Sequence, residues 1–143
     1  MAKLPKISGR ALVVEDDALL AMAMADTLTD LGMEEVQTCA STADAMALLT
    51  EFRPDVLTLD VNLGDRQDGW ALAELAQQIS TTPPIIIFAT GSPESVPPQV
   101  ARLGHVIAKP VDPAAIHAIL RKAQKDRGLF GRMRRMLGDD TDG

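Results

Sequence analysis

The sequence predicts an α/β protein in which a parallel β-sheet lies between layers of helices. Short runs of branched apolar residues recur five times, and segments with helical periodicity fill the intervals between them. Because these runs are apolar at successive positions, both faces of the sheet must be covered, as happens when right-handed crossovers place helices on each side. The length of 143 residues corresponds to about one domain.

Five strands are expected from the apolar runs. The third run, Val-Leu-Thr-Leu-Asp, and the fourth, Ile-Ile-Ile-Phe-Ala-Thr, are the most continuous and indicate central strands. Five βα units fit a flavodoxin-like sheet with the strand order 2-1-3-4-5 and helices on both faces. The expected strands lie at about residues 10–14, 35–39, 56–60, 85–90 and 105–108.

Three of the helices are bounded by capping residues. The first, at about 17–31, ends at Gly32, a residue that commonly terminates helices. The second begins with the capping pattern Ser41-Thr42-Ala43-Asp44. The last begins at Asp112-Pro113, where an acidic cap precedes a proline in the first turn.

The other two helices are less regular. The third is expected to follow Asp68-Gly69. After Thr90, Pro93 and two further prolines leave room only for a short or degraded fourth helix near 98–103, because proline is poorly tolerated inside a helix.

Charge is divided unevenly along the chain. Residues 11–120 hold 16 acids and four bases, a net charge of −12, whereas residues 121–137 hold seven bases and one acid, a net charge of +6. An acidic body repels nucleic-acid backbones, and only four aromatic residues are available for base stacking, so we expect no nucleic-acid partner. No window approaches ~18 uninterrupted apolar residues, which predicts no membrane insertion. The single cysteine, Cys39, suits a cytoplasmic setting.

Polar side chains stand where the predicted strands end. Glu15 and Asp16 follow the first strand, Asp60 ends the third, Thr90 ends the fourth and Lys109 follows the fifth. In parallel sheets these ends meet at one edge. Two carboxylates about 4 Å apart repel by roughly 4 kcal/mol at an effective dielectric near 20, so a cation must compensate, and oxygen ligands favour Mg²⁺. A carboxylate, a magnesium ion, a lysine and a hydroxyl together indicate phosphoryl transfer.

With these motifs the chain resembles a response-regulator receiver domain over residues 8–125, followed by a basic and then acidic tail over 126–143. The resemblance implies that Asp60 is the phosphorylated residue and that Thr90 and Lys109 complete the catalytic set. Lys109-Pro110 matches a Lys-Pro pair that is commonly joined by a cis peptide in this family.

The same resemblance implies a Mg²⁺ site. Its ligands would be Asp16, Asp60 and the backbone carbonyl of Asn62, with Glu15 acting through water.

Two further segments relate the chain to subsets of the family. Phe88-Ala89-Thr90-Gly91 resembles the stretch found in some single-domain receivers, although Ser92-Pro93 follows where that subset tends to have an aromatic residue. Val106 stands where many receivers carry the Tyr or Phe that moves with the threonine.

The resemblance implies a phosphoacceptor protein of a two-component system, not an enzyme beyond its own phosphorylation and dephosphorylation. Its partners would be a sensor histidine kinase or a histidine phosphotransfer protein, and its output would be protein contact through the face from strand 4 to helix 5. A weak homodimer is left open. The alternative is a phosphorylation-independent adaptor that keeps the fold as a docking surface. A phosphatase of the haloacid-dehalogenase type would need Asp where Asn62 stands.

Overall fold

A computed structural model describes residues 7–61 and 66–136 of the chain, with side chains for 7–61 and 69–127. Five parallel strands form one sheet, in which the third strand lies at the centre and the second and fifth at the edges. The strands are β1 (Arg10–Val14), β2 (Glu35–Cys39), β3 (Val56–Asp60), β4 (Ile85–Thr90) and β5 (His105–Ala108). The predicted strands and the order 2-1-3-4-5 are confirmed.

Within the described residues, five α-helices connect or follow these strands, and a single 3₁₀ turn at Pro93–Ser95 precedes the fourth. The helices are α1 (Ala18–Leu31), α2 (Thr42–Glu51), α3 (Arg66–Gln78), α4 (Pro98–Ala101) and α5 (Pro113–Met136). The short α4 agrees with the expectation for a proline-rich segment, and Gln77 Nε2 donates to the Leu103 carbonyl at 2.7 Å just after it.

Capping residues define the ends of α1 and the start of α2 as the sequence indicates. Asp17 accepts hydrogen bonds from the backbone N–H groups of Leu19 and Leu20 at 2.9 and 3.1 Å. Gly32 ends α1 with a φ of 118°, a left-handed conformation that glycine adopts without strain. Ser41 Oγ accepts from the Asp44 N–H at 3.2 Å at the start of α2.

Two helix boundaries differ from the expectation. α3 begins at Arg66, before Gly69, so the glycine lies within the helix. Burial of Leu72 and its neighbours against the sheet outweighs the conformational cost of one glycine near the helix start. α5 continues to Met136 and therefore passes through residues 125 and 126, between which the sequence suggests a domain boundary. That boundary stays a prediction.

The core consists of two apolar layers, one on each face of the sheet. Side chains alternate between the faces along each strand, so Leu12 and Val14 of β1 face one layer and Ala11 and Val13 the other. The first layer is covered by α2, α3 and α4, and the second by α1 and α5. β3 and β4 are buried at every position, which explains their continuous apolar runs. None of the described helices is long and apolar enough to cross a membrane.

Candidate functional site

An acidic cluster forms where β1 and β3 end. These strands are hydrogen-bonded neighbours, with Val14 opposite Leu59, so the residues that follow β1 lie beside Asp60. One carboxylate oxygen from each of Glu15, Asp16 and Asp60 lies within 4.8 Å of the others. Glu15 and Asp60 are each 8% exposed, whereas Asp16 is open to solvent. The cluster thus combines two buried acids with one that is accessible.

Backbone hydrogen bonds hold the acidic segment after β1. The Glu15 N–H donates to the Cys39 carbonyl at 3.0 Å, which extends the pairing of β1 with β2. The Asp17 N–H donates to Glu15 Oε2 at 3.2 Å, while the Asp17 carboxylate caps α1. Because Asp17 is used as a cap, Glu15 and Asp16 are the acids that this segment contributes to the cluster.

Lys109 provides positive charge to the cluster. Its Nζ lies 2.9 Å from Asp60 Oδ1 and 3.6 Å from Glu15 Oε1. The Lys109 N–H donates to the Thr90 carbonyl at 2.8 Å, and the Lys109–Pro110 peptide is cis, as the sequence motif suggests. The end of β5 therefore delivers an ammonium group directly to the carboxylate of β3.

Thr90 lies at the same edge of the sheet, on the neighbouring strand. It follows Ala89, which pairs with Asp60 in the register of β3 and β4. Its side chain is buried, and Oγ1 accepts a hydrogen bond from the Ser92 N–H at 3.0 Å. The hydroxyl therefore connects the end of β4 to the loop that leads to α4.

The charges of the cluster shift the pKa values of two groups. Burial and a hydrogen bond with Asp60 raise the pKa of Glu15 from 4.5 to about 7, against the opposing effects of the Asp17 N–H and Lys109. Burial by itself lowers the pKa of Lys109, but the hydrogen bond and attraction to Asp60, with a contribution from Glu15, raise it overall. The negative charge of the cluster is thus reduced by the raised proton affinity of Glu15 and offset by the ammonium group of Lys109.

The donor set fits a hard divalent cation. It consists of carboxylate oxygens, which are the ligands that Mg²⁺ prefers, and the exposed Asp16 leaves room for coordinated water. After burial, the hydrogen bond with Asp60 and the charge of Asp60 also raise the pKa of Glu15, and a cation bound here would oppose that effect. Asn62, whose carbonyl the resemblance assigns to the metal, lies outside the described residues.

A comparison with protein families identifies this arrangement. The response regulator receiver domain model matches residues 11–121, which include the site and all five strands except the first residue of β1. The chain belongs to this receiver-domain family. The acidic cluster, Asp60, Thr90 and Lys109 therefore occupy the region that the family match covers.

Individual relatives agree with the assignment. Chemotaxis protein CheY from Thermotoga maritima is 25% identical over 118 residues, which cover 81% of this chain and 98% of that protein. The protein-glutamate methylesterase/protein-glutamine glutaminase of Archaeoglobus fulgidus is 37% identical over 78 residues, 54% of this chain but 22% of that protein. This receiver thus spans about a fifth of the methylesterase, and that enzyme's activity is not carried over to it.

Solved structures share the fold. The CheY-like receiver domain from Methylobacillus flagellatus matches with a TM-score of 0.71 and 24% identity, covering 79% of this chain and 96% of that chain. The anti-anti-sigma factor PhyR from Bartonella quintana matches with a TM-score of 0.73 and 21% identity, covering 90% of this chain and 52% of that chain. At these identities the likeness concerns the fold.

Thr58 is a residue near the site that the sequence did not indicate. It lies two residues before Asp60 on β3 and is 1% exposed. Among the described residues its Oγ1 has no hydrogen-bond partner. The sequence does show a hydroxyl residue within an otherwise apolar central strand. Because β-branched threonine is common in strands, that observation by itself does not indicate a functional residue.

Proposed function

We propose that this receiver is a Mg²⁺-dependent phosphoacceptor of a two-component system, in which Asp60 takes a phosphoryl group from a partner's phosphohistidine. The observation that carries the proposal is the placement of Asp60, a nearly buried carboxylate 2.9 Å from Lys109 Nζ and within the acidic cluster. The family match supports the same reaction class. The donor is a sensor histidine kinase or a histidine phosphotransfer protein, and we expect the reaction in the cytoplasm.

In the proposed transfer, a carboxylate oxygen of Asp60 forms a bond to phosphorus while the bond from phosphorus to the donor imidazole nitrogen breaks. The electron pair of the broken bond stays on that nitrogen. Lys109 then donates to the phosphoryl oxygens, and the Thr90 hydroxyl does the same after it leaves the Ser92 N–H. The chain acts as an acceptor whose only chemistry is its own phosphorylation and dephosphorylation.

The metal would be held by the acidic cluster. Asp16 and Asp60 would bind it directly, Glu15 would bind through water, and the Asn62 carbonyl would complete the ligands that the resemblance implies. When bound, Mg²⁺ supplies positive charge that offsets the phosphoryl oxygens and the carboxylates.

A protein donor needs a contact surface beside Asp60, and α1 offers one. Leu19 and Met22 are 77% and 61% exposed, and Leu20 is 47% exposed. They follow directly after the acidic residues, so the exposed apolar surface borders the cluster. Large apolar side chains grouped at a surface mark contact sites more often than single ones do.

The output is proposed to run through the segment after β4. Movement of the Thr90 hydroxyl toward the phosphoryl group would break its bond with the Ser92 N–H. The segment that follows is divided into a three-residue 3₁₀ turn and a four-residue α4, so it can rearrange without breaking a long helix. A changed surface from β4 to α5 would then bind or release a downstream protein.

Transfer of ³²P from a phosphorylated kinase tests the proposal. Wild-type protein should be labelled in Mg²⁺ and should lose its label in hydroxylamine, which cleaves acyl phosphates, whereas Asp60→Asn should stay unlabelled. Asp17→Asn is the matched control, because it makes the same change at the same edge and asparagine also caps helices. Equal labelling of wild type and Asp60→Asn would refute the assignment.

Beryllofluoride, which mimics the acyl phosphate, distinguishes the phosphoacceptor from the alternative, a phosphorylation-independent adaptor. The phosphoacceptor proposal expects amide NMR shifts around Thr90 and α4 when beryllofluoride and Mg²⁺ are added together. Unchanged spectra would favour the adaptor, whose docking surface would then be permanent.

A further inference from the structure

A cavity of about 280 Å³ extends from the acidic cluster along one side of α1. Its walls come from β1, β3, α1 and the segment after β5, and its surface is mainly apolar. Leu20 and Met24 of α1 and Val111 form part of this apolar wall, while Lys109 lies at its polar end. The volume approaches that of small-molecule pockets and exceeds the engineered apolar cavity of about 150 Å³ that accommodates benzene.

Thr58 adds a polar group to this apolar wall. It lines the cavity, and its Oγ1 is buried without a hydrogen-bond partner among the described residues. Buried hydroxyls are normally paired, and rotation about the Cα–Cβ bond places either the hydroxyl or the methyl toward the cavity. Thr27, the other threonine in the wall, already donates to the Ala23 carbonyl at 2.9 Å. As placed, Thr58 Oγ1 has almost no accessible surface, and rotation of the side chain toward the cavity makes this hydroxyl available to a ligand.

We propose that this cavity binds a small neutral molecule with an aromatic ring and one hydroxyl group, the hydroxyl pairing with Thr58 Oγ1. The volume admits a single ring with a substituent, and the apolar wall favours a ring over a cluster of waters, each of which needs two to four polar partners. The thioether of Met24 suits contact with an aromatic edge. A neutral ligand avoids the charges of the acidic cluster at the other end.

The position of the cavity gives the ligand a route to signalling. Thr58 and Asp60 lie on the same face of β3, separated by two residues or about 7 Å. Glu15, Asp60 and Lys109 line the other end of the same cavity, so a ring bound at Thr58 lies next to the charged groups that compensate one another in the cluster. The binding claim itself does not depend on phosphorylation of Asp60 and is tested without a kinase.

Two fluorinated probes that differ by one hydroxyl test the proposal. Binding of 4-fluorophenol and of fluorobenzene to the full chain is measured by ¹⁹F NMR titration. We expect saturable binding of 4-fluorophenol at least about five-fold tighter than that of fluorobenzene, because only the former pairs with Thr58. Absence of saturable binding by 4-fluorophenol, or equal affinity for both probes, would overturn the proposal.

Three variants locate the binding, one that removes the hydroxyl and a matched pair that adds bulk at different helices. Thr58→Val keeps the side-chain shape without the hydroxyl, so the two probes should bind it with equal affinity, and its melting temperature should not fall. Ala23→Leu adds bulk to the cavity wall from an exposed position of α1 and should weaken both probes about five-fold or more. Ala47→Leu, the same change at an exposed position of α2, should leave both affinities unchanged. A preference for the phenol that survives in Thr58→Val, or unchanged affinities in Ala23→Leu, would place the probe elsewhere.

Discussion

Glu15 should make Mg²⁺ binding strongly dependent on pH between 6 and 8. Its pKa of about 7 in the folded protein means that the carboxylate is about one tenth ionised at pH 6 and about nine tenths ionised at pH 8. A cation that requires the ionised form must displace the proton at the lower pH. The apparent dissociation constant for Mg²⁺ should therefore fall about ten-fold as the pH rises from 6 to 8.

Isothermal titration calorimetry at matched ionic strength measures this change directly. Buffers with different ionisation enthalpies should report close to one proton released per Mg²⁺ at pH 6 and almost none at pH 8. Glu15→Gln is the control: it keeps the side-chain size, removes the titration and should reduce the pH dependence to less than about two-fold. The reasoning fails if wild-type affinity changes less than two-fold, or if Glu15→Gln retains the full ten-fold dependence.

The same proton affects folding in the absence of metal. An unfolded glutamate loses its proton near pH 4.5, whereas folded Glu15 holds it until about pH 7. Between these values the folded state binds more protons than the unfolded state, so the free energy of unfolding should decrease as the pH rises from 4.5 to 7. Thermal unfolding should show this decrease in wild type and a smaller one in Glu15→Gln, while saturating Mg²⁺ should offset it.

Three further predictions concern separate parts of the structure, and the last of them has a matched control variant. Lys109→Ala should lower the free energy of unfolding of the metal-free protein by about 1–3 kcal/mol, because two carboxylates lose their ammonium partner. Mg²⁺ should still raise the melting temperature of this variant, since Lys109 is not a metal ligand. A variant that Mg²⁺ no longer stabilises would contradict that role. Thr90→Ala should still accept ³²P, but beryllofluoride with Mg²⁺ should shift its amide NMR signals around α4 less than it shifts those of wild type. Shifts as large as in wild type would exclude Thr90 as the switch. Gly104→Ala should destabilise by about 2–4 kcal/mol in denaturant unfolding, since the added Cβ would stand 2.3 Å from the Ile86 carbonyl oxygen. Gly69→Ala, where the added Cβ meets nothing within 4 Å, should be neutral or stabilising, and equal losses in both would reject the steric reason.

The strands could be recognised from sequence because their signal is local. Each is a short run of branched residues, and burial on both faces keeps the run continuous, as at β3 and β4. The site could be expected for a related reason: in a parallel sheet all the strands end at one edge, so polar residues after the runs must meet there. This rule predicts that Asp60 and Lys109, which are 49 positions apart in the chain, lie close together, and Lys109 Nζ is 2.9 Å from Asp60 Oδ1.

The ends of the helices depend on packing and were therefore harder to predict from the sequence. Gly69 suggested a helix start, but contacts of the later residues with the sheet extend α3 back to Arg66. Propensity is a weak preference of at most about 1 kcal/mol per glycine, and burial of a single leucine exceeds it. The same limit applies to α5, which continues to Met136, past the domain boundary expected between residues 125 and 126.

Residue types and spacing were enough to define the five parallel strands and the polar groups at one edge of the sheet, because those follow from the alternation of strand and helix and from chain direction. The strand order rested on the fit of five βα units to a flavodoxin-like sheet. Three properties required the folded arrangement: the raised pKa of Glu15, its proximity to Lys109, and the lack of a hydrogen-bond partner for the Thr58 hydroxyl among the residues that the structure describes. Each of these properties depends on distances of a few ångströms and on exclusion of water by residues remote in the chain. Such distances and such burial arise only when the layers pack.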